Sequence, residues 1–254
     1  MNPTFFAIEL KRIVRDVTTM FFVAILPAVL YLIFGANQSY GDNSVGNGNV
    51  AFYVMIGMAA YGAVTATVGV GGMAAVEQMQ GWGRQLGLTP MSDAQRVVTR
   101  AAVGFVVAIV PVGLIYALGA VTGAEAEPQV WLISGLVVLL GSAVFSFFGL
   151  LSGLLFRSEA AVSAASGSLV IFAFLGNLYF PLTGLLLDIA RFTPLYGYVA
   201  LARYPLTDGW TVRQSPEDES VLEPLWVPTL NLGLWAVVFI AATLLVARRG
   251  RARQ

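Results

Sequence analysis

The 254-residue chain is 57% apolar and only 11% charged, where an ordinary soluble domain is about a quarter charged, so its composition is that of a membrane protein. Its 14 basic and 14 acidic residues cancel, which leaves bulk charge no argument for nucleic-acid binding. Cys and His are both absent, and this excludes thiol nucleophiles, disulfides, zinc sites of the usual ligand sets and histidine acid–base chemistry.

Asn2-Pro3 is placed to cap a helix in which Phe6, Leu10, Ile13, Val14 and Val17 recur at helical spacing, with Lys11, Arg12 and Arg15 off that stripe. Residues 2–16 therefore read as an amphipathic helix lying in the membrane interface. Crossing the hydrocarbon core takes roughly 20 apolar residues, and six stretches qualify, near 17–36, 50–76, 98–121, 131–156, 160–180 and 226–247. Pro27 and Pro111 fall inside spans and predict kinks. Only Arg157-Ser-Glu159 separates the fourth span from the fifth, which predicts a tight helical hairpin. The chain thus reads as one all-α membrane domain over residues 1–254.

The longest polar interruption in the first half is Glu77-Gln-Met-Gln-Gly-Trp-Gly-Arg-Gln-Leu-Gly-Leu-Thr-Pro90. Its glycines break the preceding helix, Thr89-Pro90 stops it, and Ser92-Asp-Ala-Gln95 is a capping box that starts the next. Residues 77–92 are a turn between two helices, either a plain loop or a docking surface. The segment 181–225 is too long for an ordinary loop and too apolar at its start for a solvated one. Leu182–Arg191 and Pro194–Tyr204 each have helical character at half the length of a span, with Thr193-Pro194 as cap and first turn. They read as two short re-entrant helices or a flat interfacial hairpin, followed by an exposed acidic loop.

Lys11, Arg12, Arg15, Arg84, Arg96, Arg100, Arg157, Arg248, Arg249, Arg251 and Arg253 fall on one side of this topology, and only Arg191, Arg203 and Arg213 on the other. The positive-inside rule then puts both termini and the Glu77–Pro90 turn in the cytoplasm.

Val68-Gly-Val-Gly-Gly72 resembles a phosphate loop but lies in an apolar span with no Lys-Ser/Thr after it. Together with Gly149-x-x-x-Gly153 and Ser163-Ala-Ala-Ser-Gly-Ser168, it reads as close helix packing. A serine hydrolase at Ser166-Gly-Ser168 would need a lysine base, and Lys11 is the one lysine in the chain. No Asp, Glu, Lys or Arg sits in the middle of any of the six spans, whereas gradient-driven carriers keep such a group buried. Energy for transport is therefore expected from another subunit. The polar and aromatic groups that could line a path are Tyr61 and Thr65 in the second span and Phe172, Phe174, Asn177 and Tyr179 in the fifth. Packing and interhelical hydrogen bonding are the simpler role for each.

The amphipathic start, six spans with both ends inside, the Glu-plus-GxxRQLGLTPMS turn and the Phe180-Pro181-Leu-Thr-Gly184 … Thr193-Pro194-Leu-Tyr196 stretch resemble a bacterial ABC transporter permease of the type-2 export class. The resemblance covers nearly the whole chain. Glu77, Gly81, Leu86 and Pro90 match the family's cytoplasmic segment, while Gln78 stands where an Arg is usual and Trp82 where a Thr is common. It implies a permease dimer, of identical or homologous copies, above two ATPase subunits that bind ATP and Mg, with no cofactor or metal in this chain. The coupling helix would comprise Glu77, Gly81, Trp82, Arg84, Leu86, Gly87, Leu88, Thr89 and Pro90. Tyr61, Thr65, Phe172, Phe174 and Asn177 would line the path, and Phe180, Pro181, Pro194 and Tyr196 would close the outer side. The expected cargo is a hydrophobic or amphipathic drug, antibiotic or lipid leaving through the bacterial cytoplasmic membrane, as in multidrug efflux. The competing readings are a gradient-driven carrier and a non-transporting scaffold or immunity protein.

Overall fold

The computed structural model describes residues 3–77, 93–156, 158–213 and 219–251. The turn from Gln78 to Ser92 lies outside the described residues, so the coupling positions Gly81, Trp82, Arg84, Leu86, Gly87, Leu88, Thr89 and Pro90 carry no structural account.

Helix α1, Pro3–Arg15, is the expected amphipathic helix. Phe6, Leu10 and Ile13 pack on the core, while Val14 and Val17 of the same sequence stripe are exposed. Asp16 then caps α2, Val17–Ala36, by accepting from the Thr19 N–H at 3.1 Å and the Thr19 hydroxyl at 2.6 Å. Within α2, Phe21–Ile25 and Leu32–Ala36 are π-helical and flank the α-helical Leu26–Tyr31. Pro27 has no N–H to return to the turn before it, and the disturbance expected there takes the form of a widened turn immediately upstream.

A short hairpin, β1 Ser44–Val45 with β2 Gly48–Asn49, leads into α3, Val50–Glu77. This helix is apolar on every side, a pattern that demands burial all round, and nearly every position from Ala51 to Val68 is buried. Of the remaining helices, α4 (Asp93–Val121), α5 (Pro128–Phe156), α6 (Glu159–Leu175), α7 (Gly184–Ala190), α8 (Pro194–Thr207) and α9 (Trp226–Arg251), α4, α5, α6 and α8 pack against it, α9 packs on α5 and α8, and α7 adjoins α6. Helix α4 runs through Pro111 unbroken, and α1 lies against it. Leu132, Leu136 and Leu140 of α5 and Leu230, Leu234 and Val237 of α9 remain exposed, an apolar outer surface suited to lipid.

The closest pairing is α3 with α5, and it is built on small residues. A Cβ on Gly149 would stand 2.1 Å from the Val68 carbonyl oxygen, one on Gly153 2.4 Å from that of Gly72, and one on Gly71 2.4 Å from that of Ser146. Thr67 adds a hydroxyl bond to the Ser142 carbonyl at 2.9 Å. The Gly-rich runs in these two helices are therefore packing surfaces, as their place in apolar spans predicts.

Among the described residues five helices are long and apolar enough to cross a membrane, namely α2, α3, α4 from Ala102, α5, and α9 to Ala247, or six if the bent pair α7 and α8 counts as one span. The expected fifth span, 160–180, is shorter than predicted. Helix α6 has 17 residues, a rise of about 26 Å against a hydrocarbon core of about 30 Å. It ends because Gly176-Asn177 is a stop signal: Asn177 takes a left-handed φ of 61°, and Gly176 and Leu178 donate back to Phe172 and Ala173. Asn177 is thus a turn residue after the helix, not a residue within it. The two half-length helices are present as α7 and α8, bent by 100°. Helix α8 continues through Pro205 to Thr207, three residues past the expected end at Tyr204. Thr193 occupies the N-cap of α8 without a capping side-chain bond, its hydroxyl donating instead to the Ala190 carbonyl at 2.8 Å.

Candidate functional site

At the hairpin end of the bundle α2, α3 and the end of α6 converge on a run of aromatic rings. Phe34 meets Phe180 at 5.6 Å between centroids, Phe180 meets Phe174 at 6.4 Å, Phe174 meets Tyr179 at 4.7 Å, and Tyr179 meets Tyr61 at 5.7 Å. All five side chains are uncharged at neutral pH. Tyr61 and Tyr179 are buried, whereas Phe174 and Phe180 are 52% and 40% exposed, so the seam runs from the protein interior to an open face. Thr65 lies one turn further along α3, buried, and donates to the Tyr61 carbonyl at 2.8 Å.

Of the residues proposed to line a path, Tyr61 and Phe174 belong to this seam and Thr65 adjoins it. Phe172 does not; its ring packs edge-on against Phe148 of α5 at 6.1 Å. Asn177 acts in the turn, where its side-chain oxygen accepts from the Leu182 N–H at 2.7 Å. Phe34 was not singled out in the sequence, where a lone Phe in an apolar run carries no distinguishing signal.

Beside the seam lies a buried charge, Arg203 of α8, which the sequence marks as one of the few bases of the outer side and not as a buried one. Arg203 is 3% exposed. Its Nε donates to the Tyr53 carbonyl at 3.2 Å, and its terminal nitrogens donate to the carbonyls of Asn177 at 2.6 Å and Leu178 at 2.8 Å. Its guanidinium carbon stands 3.6 Å from the centroid of the Tyr53 ring. Gly57, one turn along α3 from Tyr53, makes room: a Cβ there would fall 2.6 Å from an Arg203 nitrogen. The cation is balanced by carbonyl dipoles after the C-terminus of α6 and by the face of an aromatic ring. Among the described residues no carboxylate lies within ion-pair distance of it.

The four residues assigned to an outer gate divide between two places. Phe180 is in the seam, with Pro181 next to it. Pro194 opens α8, and Tyr196 is buried in a separate cluster with Leu187 and Ala190. The Tyr196 hydroxyl donates to Glu223, which also accepts from the Arg191 Nε at 2.7 Å. Glu223 is therefore buried and paired, not part of an exposed acidic loop. Asn231 and Trp235 of α9 complete the corner by donating to the carbonyls of Arg191 at 2.7 Å and Phe192 at 3.1 Å.

The β1–β2 hairpin ties the remaining loops of this end together. The Asn47 amide donates to the Pro205 carbonyl and to Asp208, each at 3.0 Å, and the Asn49 amide donates to the Gly123 carbonyl at 2.8 Å. The sequence signal that could have found them is the run Asn43-Ser-Val-Gly-Asn-Gly-Asn49, dense in turn residues with side chains able to bond backbone.

At the opposite end of α3, Glu77 pairs with Arg12 of α1. The one described residue of the expected coupling segment is thus joined to the amphipathic helix.

The chain matches the model of the ABC-2 family transporter protein family over residues 37–245. It is also 25% identical over 197 residues to YvfS of Bacillus subtilis (strain 168), named as a transport permease, an alignment covering 75% of this chain and 79% of the relative. The chain belongs to the ABC-2 transporter family and is a multi-pass membrane permease subunit. That family implies an ABC ATPase partner.

Proposed function

We propose that this permease is the membrane half of an ATP-driven exporter that moves a hydrophobic or amphipathic compound outward through the bacterial cytoplasmic membrane. Two permease copies stand above two ATPase subunits, with both termini inside. ATP and Mg bind in the ATPase, and this chain contributes no catalytic group. The segment from Glu77 to Pro90 seats in the ATPase and passes its closure into α3 and α4. The aromatic seam lies on the translocation path, and the hairpin end is the extracytoplasmic side. The observation that supports this most strongly is the seam itself, in which rings from three elements form one uncharged track that opens on a face of the bundle. A cargo without an apolar body would have no partner along such a track.

The test is ATP-dependent accumulation of a lipophilic dye in inside-out vesicles containing the permease and its ATPase. Phe180→Ala is expected to lower the rate several-fold with little loss of protein. Dye accumulation driven equally well by an imposed pH or sodium gradient without ATP would establish the carrier reading instead.

A further inference from the structure

We infer that the seam selects amphipathic anions, compounds with an apolar, aromatic-compatible body and one negatively charged head, over organic cations of the same body. The inference rests on the reading of the seam as a translocation path and concerns which cargo that path admits. Aromatic rings by themselves favour cations, an attraction of roughly two- to fivefold in affinity at partly exposed sites. The buried charge beside them acts in the opposite sense.

Arg203 donates to the carbonyls of Asn177 and Leu178, and the next residue in the chain is Tyr179 of the seam. On α3, Tyr53, Gly57 and Tyr61 follow at intervals of four and share a face, so the Arg203 site on Tyr53 is about 12 Å along the helix from Tyr61. Three of the five guanidinium N–H donors are spent on carbonyls, which leaves two without a protein partner among the described residues. Glu223 lines a cavity in common with Arg203, but its two oxygens are taken by Arg191 and Tyr196. The guanidinium is charged at all physiological pH values. Across about 12 Å at an effective dielectric near 20, a unit charge changes the affinity for a charged ligand by about tenfold. That exceeds the cation preference of the rings, and it raises anions as much as it lowers cations.

The experiment uses the purified full chain in phosphatidylcholine nanodiscs and three probes with one body: pyrenebutyrate, pyrenebutanol and pyrenebutyl-trimethylammonium. Binding is read by energy transfer from tryptophan, referenced to empty nanodiscs. The anion is expected to bind at least tenfold tighter than the cation, with the alcohol between them. Arg203→Gln should bring that ratio below about twofold and Arg203→Lys should keep it, while Phe180→Ala weakens all three probes alike. Displacement of pyrenebutyrate by added phosphatidylglycerol would assign the anion to lipid, and no displacement would assign it to a soluble amphiphile; both agree with the inference. A cation that binds as tightly as the anion to the wild-type chain overturns it, whether or not Arg203→Gln folds. An anion preference that persists in a folded Arg203→Gln variant overturns it as well. If none of the probes binds in a way that Phe180→Ala weakens, the path reading itself falls and takes the inference with it.

Discussion

The guanidinium carbon of Arg203 lies 3.6 Å from the centroid of the Tyr53 ring, and the same side chain donates through Nε to the Tyr53 carbonyl. One residue of α8 is thereby fixed to the first turn of α3 and, through Asn177 and Leu178, to the end of α6. Replacing it with Met leaves three carbonyls without their donor in a buried place, a loss of about 2–4 kcal/mol. Arg203→Met is therefore expected to lower the melting temperature of the detergent-solubilised chain clearly. Gly57→Ala should do so too, because its methyl would occupy the space of the guanidinium. An unchanged melting temperature in both variants would mean that the contact contributes nothing to stability.

The α3–α5 interface supplies its own control. A Cβ on Gly71 would meet the Ser146 carbonyl oxygen at 2.4 Å, whereas one on Gly69 would meet nothing within 4 Å. Gly71→Ala should destabilise by about 1–3 kcal/mol through overpacking. Gly69→Ala should be neutral or stabilising by up to about 1 kcal/mol, since Ala is the better helix former. Thermal melting of the two variants side by side checks this, and equal effects would contradict the packing.

Asp16 gives a pH dependence of known sign. The Thr19 hydroxyl and N–H bonds hold its carboxyl below the ordinary carboxylate value of 3.8. A group with a depressed pKa contributes stability that is present above the unfolded value and is lost as pH falls through the folded value. Asp16 is exposed, so the effect is small. The wild type should melt above Asp16→Ala at pH 6, and the gap should close below about pH 4. A gap that is constant from pH 6 to pH 3 would contradict the cap.

The pair between Arg12 and Glu77 joins α1 to the start of the coupling segment. Arg12 is half exposed, so the pair adds at most about 1 kcal/mol to stability. Its importance is expected in coupling instead: Arg12→Glu should lower ATP-dependent transport, and Arg12→Glu with Glu77→Arg should restore a good part of it. In the same assay Leu86→Asp with Gly87→Asp should abolish co-purification of the ATPase.

Where the sequence speaks through composition, the fold is legible from it. Runs of 20 apolar residues mark α2, α3, α4, α5 and α9, glycine spacing marks the α3–α5 interface, and two half-length apolar stretches mark α7 and α8. The misreadings occur where one residue's environment is set by distant chain. Arg203 is legible as a helical base of the outer side but not as a buried one, because its burial depends on carbonyls some 25 and 150 positions away. Asn177 sits in an apolar stretch that continues on both sides, so hydropathy runs through the turn that Gly176-Asn177 imposes. Glu223 is one acid among several in its loop, and only Arg191 and Tyr196 distinguish it. Tyr61 and Phe174 could be picked out as aromatic residues within spans, but their link to Phe34 runs through Phe180, which the chain places beside Phe34 only after the turn that ends α6.

The most direct test of the central claim is transport of a lipophilic dye into inside-out vesicles that contain this permease with its ABC ATPase. The measurement compares the wild-type permease with Phe180→Ala, and ATP with an imposed ion gradient. ATP should drive accumulation, an ATPase unable to hydrolyse ATP should stop it, and Phe180→Ala should slow it several-fold while the complex stays assembled. Accumulation that needs no ATP, or that is indifferent to substitutions at Phe174, Phe180 and Tyr61 together, would contradict the account.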